Sequence, residues 1–205
     1  MNGLQSFLQF LGDYASMALV AIFLENTILT RALGTSTALL IVRKKHNFFL
    51  FGVILTIITS LSAIIVWLLN PLIADYPYKY YIRPLLYVTV IGVAYVVTLI
   101  FTNRVLKKSR KQILPMIHLA AFNCAVLGAL LLGMQDDTIS FAGFLGFGLG
   151  TGIGFILANF LIMIAYTRLN SSRVPKAFRG FPAMLLYIGI LSLAFYGLIG
   201  HELPF

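Results

Sequence analysis

Phe23-Leu24-Glu25-Asn26-Thr27-Ile28-Leu29-Thr30-Arg31 lies inside the apolar run Tyr14–Val42, and its reading decides the fold. The run has 29 residues, whereas a helical crossing of a bilayer takes about 20. Lipid offers no partner to the backbone, so a run this apolar is helical. Yet Glu25, Asn26, Thr30, Arg31 and Gly34 interrupt it. Such groups are costly at membrane depth unless they are paired or line a cavity. The run is therefore expected to be two half-helices separated by a break. A second run, Ile113–Gly133, is interrupted by Pro115, His118 and Asn123. It carries the only cysteine, in Phe122-Asn123-Cys124-Ala125-Val126-Leu127-Gly128.

Composition agrees with a chain built in lipid. Of 205 residues, 60% are hydrophobic and 10% charged, with a mean hydropathy of +0.96; soluble domains carry about a quarter charged residues. The net charge of +9 does not point to nucleic acid, because twelve of the fifteen bases sit in three short loops. One cysteine excludes an internal disulfide framework and any cluster held by this chain's thiolates alone. Met1 to Gly12 carries no Lys or Arg, so no cleavable signal peptide is expected.

Six apolar runs follow one another: Tyr14–Val42, Phe48–Leu69, Ile82–Asn103, Ile113–Gly133, Phe141–Thr167 and Phe181–Gly200. The basic loops follow the first (Arg43-Lys44-Lys45), third (Arg104 to Lys111) and fifth (Arg168 to Arg179), and none holds an acid. Asp13, Asp75, Asp136, Asp137 and Glu202 fall on the opposite side, with only Lys79 and Arg83 as bases. The positive-inside rule makes the three loops cytoplasmic and both termini external. Tyr76, Tyr78, Tyr80 and Tyr81 suit an aromatic belt at the outer interface. Runs one and four are the interrupted ones. This predicts a single all-α membrane domain over 1–205: six transmembrane helices as two inverted three-helix repeats (about 1–106 and 107–205), helices one and four broken at the midplane.

Four places resemble the Rnf/Nqr family of membrane subunits, in its RnfA/NqrE branch. Ile22-Phe23-Leu24-Glu25-Asn26 with Leu33-Gly34 resembles the family's first broken helix. Leu114-Pro115-Met116-Ile117 and Asn123-Cys124-Ala125-Val126-Leu127-Gly128 resemble its fourth. Val174-Pro175 with Phe178-Arg179-Gly180 resembles the last cytoplasmic loop, and Leu191-Ser192-Leu193-Ala194-Phe195 the sixth helix. The resemblance implies a multi-pass subunit of an ion-translocating electron-transport complex in a bacterial or archaeal cell membrane. It implies a homologous partner of opposite topology, and flavin and iron–sulfur subunits beyond it. Each homologous subunit would give two cysteines to an intramembrane [2Fe–2S] cluster. Here Leu33-Gly34 is followed by Thr35-Ser36, so Ser36 stands where the family's first cysteine is expected. Either Ser36 or His118 then completes the site beside Cys124, or the cluster has been lost.

Each candidate also has a plain structural role. Cys124 suits a small buried apolar position, and Ser36 close packing of membrane helices. His118 could ligate a metal, cap the broken helix or face a polar cavity. Glu25 and Arg31 fall on different faces of a continuous helix, but across a break they can pair. Glu25 is otherwise a coupling-ion or proton site. Asn26 and Asn123 are expected to satisfy backbone groups freed at the breaks. Gly143, Gly146, Gly148, Gly150, Gly152 and Gly154 suit close helix packing. The basic loops suit anionic lipid headgroups or an acidic partner. No nucleophile–base set, phosphate loop or dinucleotide fingerprint is present. An electron-relay subunit is the leading expectation. A cysteine-depleted structural or transport subunit without a redox centre is the alternative, and a stand-alone transporter a third.

Overall fold

The computed structural model describes residues 3–43, 47–106, 110–135, 138–171, 175 and 179–197. Helix is the only regular element among them. In order they form α1 (Gly3–Leu19, continued by a π-helical turn, Val20–Leu24), α2 (Thr35–Arg43) and α3 (Phe48–Leu69). The short α4 (Pro71–Ala74) and α5 (Lys79–Val105) follow, then α6 (Arg110–Ala121), α7 (Cys124–Gly133), α8 (Phe141–Leu169) and α9 (Phe181–Tyr196). Local chemistry sets several of these starts. Asn47 accepts the Leu50 amide at 3.1 Å to cap α3, and Ser140 accepts the Gly143 amide at 3.1 Å to cap α8. Pro71 opens α4 at a position where a missing N–H costs nothing.

Gly3–Leu24, α3, α5 and α8 are each long and apolar enough to cross a membrane. The α6–α7 pair, bent by 48°, makes a fifth such unit. The sixth run is helical over the sixteen residues Phe181–Tyr196, and its last residues lie outside those described. The largest boundary difference from the sequence reading is at the first helix, which starts at Gly3 rather than Tyr14 and runs through Asp13, whose carboxylate accepts the Ser140 hydroxyl at 2.9 Å.

Helix α8 is the axis of the molecule, and its glycines let two helices close on it. A methyl group at Gly146 would meet the backbone of Tyr14; at Gly150, that of Ala18; at Gly154, the Ile22 backbone. These contacts advance four residues at a time on both helices, so α1 and α8 run parallel. Gly148 and Gly152 press instead against α3, at Thr59 and Thr56. Small residues at helical spacing thus give two close backbone approaches, where dispersion and weak polar contacts hold helices together in lipid. Beyond the first break, Leu39 and Arg43 of α2 share a cleft with Tyr166 of α8. Residues 14–43 therefore travel in one direction alongside α8. Phe51, Leu55 and Ile58 of α3, Phe144 and Phe155 of α8, Tyr87 of α5 and Ile117 of α6 fill the core. Large apolar side chains cover the outside of α5 and α9, among them Leu85, Val93, Ile190 and Leu193. This is the inside-and-outside apolarity of helices that contact lipid.

Candidate functional site: two broken helices that meet

The first break opens where the Glu25 amide reaches back five residues to the Val20 carbonyl (2.8 Å), closing the π turn. Asn26, fully buried, then organises the chain. Its Nδ2 donates to the carbonyls of Ile22 (2.8 Å) and Gly154 (3.1 Å). Its Oδ1 accepts the amides of Ile28 and Leu29, both at 3.1 Å. One helical turn follows, in which Thr30 returns its amide (2.9 Å) and hydroxyl (2.7 Å) to the Asn26 carbonyl. Backbone groups freed by the break therefore find partners within the protein, as burial demands. Ala32 (φ 57°) and Gly34 (φ 80°) turn the chain into α2.

Arg31 holds Glu25 in a two-pronged pair: Nε donates to Oε2 and Nη2 to Oε1, each at 2.9 Å. Both carboxylate oxygens are engaged, and both side chains remain partly exposed (45% and 31%). Bidentate geometry is the form in which two such charges are best tolerated away from water. Glu25 also borders a polar cleft of about 630 Å³ that runs past Gln9, Asp13, Ser16 and Ser140.

The second break is shorter. α6 ends at Ala121 and α7 begins at Cys124, so only Phe122 and Asn123 lie between. Asn123 is 4% exposed and caps α7 by accepting the Ala125 amide at 3.0 Å. It repeats in one bond what Asn26 does in two.

The two breaks touch. The Gly34 amide donates to Cys124 Sγ at 3.0 Å, across ninety positions of sequence. A methyl group on Gly34 would sit 2.8 Å from Asn123 Oδ1 and 3.1 Å from the Ala125 Cβ, and one on Gly128 would collide with Leu33. The Leu33-Gly34 pair is thus the surface on which α7 begins. Cys124 is exposed and borders a cleft of about 270 Å³ with Val88, Ile91, Phe122, Asn123 and Leu127.

Ser36 is exposed in the first turn of α2, two residues beyond the glycine that bonds Cys124. Neither Ser36 nor His118 borders the Cys124 cleft. His118 lies on α6, where its Nδ1 shares a 2.6 Å hydrogen bond with the Tyr95 hydroxyl of α5. The Tyr95 ring also packs on Phe122 in the second break, centroids 5.5 Å apart. Among the described residues no three His, Cys, Asp or Glu side chains converge as a metal-holding group. Cys124 is the only thiol that the sequence supplies.

Sequence reasoning marked Gly34 as an interruption of the first run, but not the bond its backbone amide makes to Cys124; Tyr95 it missed. Tyr95 is one aromatic residue among many in an apolar run, and nothing marks it as the partner of His118.

A multi-helix membrane protein with two discontinuous helices joined at their breaks is the class that this architecture defines. The sequence profile of the membrane protein family described as Rnf-Nqr subunit matches residues 14–201. The chain belongs to that family. It is 32% identical over 190 residues to the A subunit of the Na(+)-translocating ferredoxin:NAD(+) oxidoreductase complex of Acetobacterium woodii, covering 89% of this chain and 95% of the relative. The A subunits of the ion-translocating oxidoreductase complexes of Syntrophotalea carbinolica (33% over 183 residues, 88% and 93% covered) and Aromatoleum aromaticum (31% over 189 residues, 92% and 97% covered) are comparably similar.

Proposed function

We propose that the chain is the A-type membrane subunit of an ion-translocating electron-transport complex, relaying electrons across the bilayer. Its partner would be a homologous membrane subunit of opposite topology, with flavin and iron–sulfur subunits on either side. Six spans as two inverted repeats (about 1–106 and 107–205), α9 being the sixth, with both termini outside the cell membrane, suit that role. The observation that carries the reading is the Gly34–Cys124 contact, which joins the two breaks at an exposed surface.

A [2Fe–2S] centre shared with the partner fits this chain's donors only in part. Cys124 is exposed, beside a cleft, and its sulfur already accepts a backbone amide; such N–H donors tune the potential of a cluster held there. The second family position offers the Ser36 hydroxyl, a harder donor that must lose its proton to ligate. His118 is engaged with Tyr95, whereas Ser36 lies two residues from the glycine whose amide bonds Cys124, which favours Ser36 over His118 as the second ligand. When bound, such a centre supplies a one-electron carrier between the two faces. Glu25, with both oxygens on Arg31, acts as half of an electrostatic clamp on the first break rather than as an ion site.

Electron paramagnetic resonance on the reduced complex tests this, with iron and labile-sulfide assays on wild type, Cys124→Ala and Ser36→Cys. A [2Fe–2S] signal lost in Cys124→Ala and altered in Ser36→Cys supports the relay with an oxygen ligand. Unchanged iron content and spectra in both would leave the second reading, which the serine at position 36 favours: a cysteine-depleted subunit kept for assembly or transport without a redox centre.

A further inference from the structure

Away from the breaks, α3, α5 and α6 leave an apolar groove of about 360 Å³ between them. Ile54 and Ile117 are its buried floor, and Ile57, Val97, Phe101 and Leu106 its exposed walls. The hydroxyl of Thr98, which also lines it, is satisfied by the Ala94 carbonyl at 2.7 Å. Thr102 is the one other polar residue of a lining that is otherwise apolar.

One end of the groove is different. Leu106 and Ile113 mark it, and Arg104 on the last turn of α5 and Arg110 and Lys111 on the first turn of α6 flank them, all three exposed. The chain has no Asp or Glu between Asp75 and Asp136, and none on α3. The three helices that form the groove thus bring bases and no acid to this rim. An almost wholly apolar slot ending in a cationic rim, cut between helices long enough to cross a membrane, has the polarity profile of one phospholipid.

We propose that this groove binds a single anionic diacyl phospholipid, an acyl chain lying along Ile54, Ile57 and Phe101 and the phosphate headgroup against Arg104, Arg110 and Lys111. An acidic protein segment would satisfy the rim but would bring polar backbone into a slot lined almost wholly by apolar side chains. A zwitterionic lipid would satisfy the slot but gain little from the rim. The site ties α6 to α3 and α5, and so bears on the helix that leads into the second break.

Native mass spectrometry of the full chain in mild detergent tests it, with dioleoyl phosphatidylglycerol or dioleoyl phosphatidylcholine added at equal concentration. The wild type should retain one phosphatidylglycerol about tenfold more than phosphatidylcholine, the order that a few Lys or Arg contribute toward an anionic headgroup. Arg104→Gln/Arg110→Gln/Lys111→Gln should erase the preference. Val97→Trp, a substitution at a half-exposed wall, should obstruct the slot and reduce the adduct while keeping the charges; Ile57→Trp serves should that variant not fold. Equal retention of both lipids by the wild type overturns the proposal. So does an adduct indifferent to tryptophan in the wall, or one displaced by glycerol 3-phosphate, since either would mean headgroup binding without the groove.

Discussion

The two breaks solve one problem at different scales. The second interrupts a helix for two residues and needs one capping bond, from Asn123 to the Ala125 amide. The first runs from Glu25 to Gly34. It uses a π turn, four hydrogen bonds to Asn26, one isolated helical turn, an ion pair and two residues with positive φ. A bend leaves few backbone groups open, whereas a ten-residue detour exposes many, and lipid satisfies none of them. Both solutions turn on a buried asparagine, which alone among small side chains offers an acceptor and two donors without charge. The asparagine of the long break therefore reaches across the protein to Gly154 of α8, while that of the short one bonds within its own helix.

That difference predicts unequal sensitivity. Asn26→Leu should be the most damaging change at either break. It removes two donated and two accepted hydrogen bonds at a site with no exposure, at a cost of about 3 kcal/mol or more. Thermal unfolding in detergent reads it, and a melting temperature within a degree or two of wild type would show that the first break is not organised by this residue. Gly34→Ala comes next. A side chain at φ 80° is strained, and its methyl would sit 2.8 Å from Asn123 Oδ1, for a penalty of about 1–3 kcal/mol. Because Gly34 joins the breaks, this variant has a second readout. Maleimide labelling of Cys124, the chain's only cysteine, should speed up several-fold as its amide partner moves away; unchanged labelling would mean that the Gly34–Cys124 bond does not control access to the sulfur.

Much of this is legible in the residues and some is not. Glu25, Asn26 and Arg31 within an apolar run announce a break, because polar groups in lipid must have a structural reason. The alternating glycines of α8 announce close packing, and the structure divides them between α1 and α3. The start of α1 is hidden because the apolar run begins after the charge at position 13, while the helix itself continues through it. The family resemblance sets position 36 beside Cys124 and so brings the breaks together, but the bond that joins them is not legible. A backbone amide has no sequence signature, and the thiol that receives it is ninety residues away. The Tyr95–His118 pair is hidden for the same reason, since packing of α5 on α6 decides it.

Smaller effects sharpen the contrast. Asn123→Ala removes the cap of α7 and should cost about 1 kcal/mol, with Asn123→Ser recovering most of it. A cost equal to that of Asn26→Leu would erase the distinction between an asparagine that bonds locally and one that reaches across to α8.

The Glu25–Arg31 pair should matter least in detergent and more in a bilayer. Both side chains are partly exposed, and in water such a pair contributes about 0–1 kcal/mol. In lipid, or against a neighbouring protein, an unpartnered charge has no solvent to fall back on, so breaking the pair should cost more than the pair itself contributes. Arg31→Gln should therefore shift the melting temperature little in detergent but reduce folded protein recovered from membranes, whereas Glu25→Gln/Arg31→Gln, with no charge left over, should recover most of the loss. If the double variant is no better than Arg31→Gln, the carboxylate has a role that the guanidinium does not share, and the polar cleft that reaches Glu25 from Asp13 becomes the place to look for it.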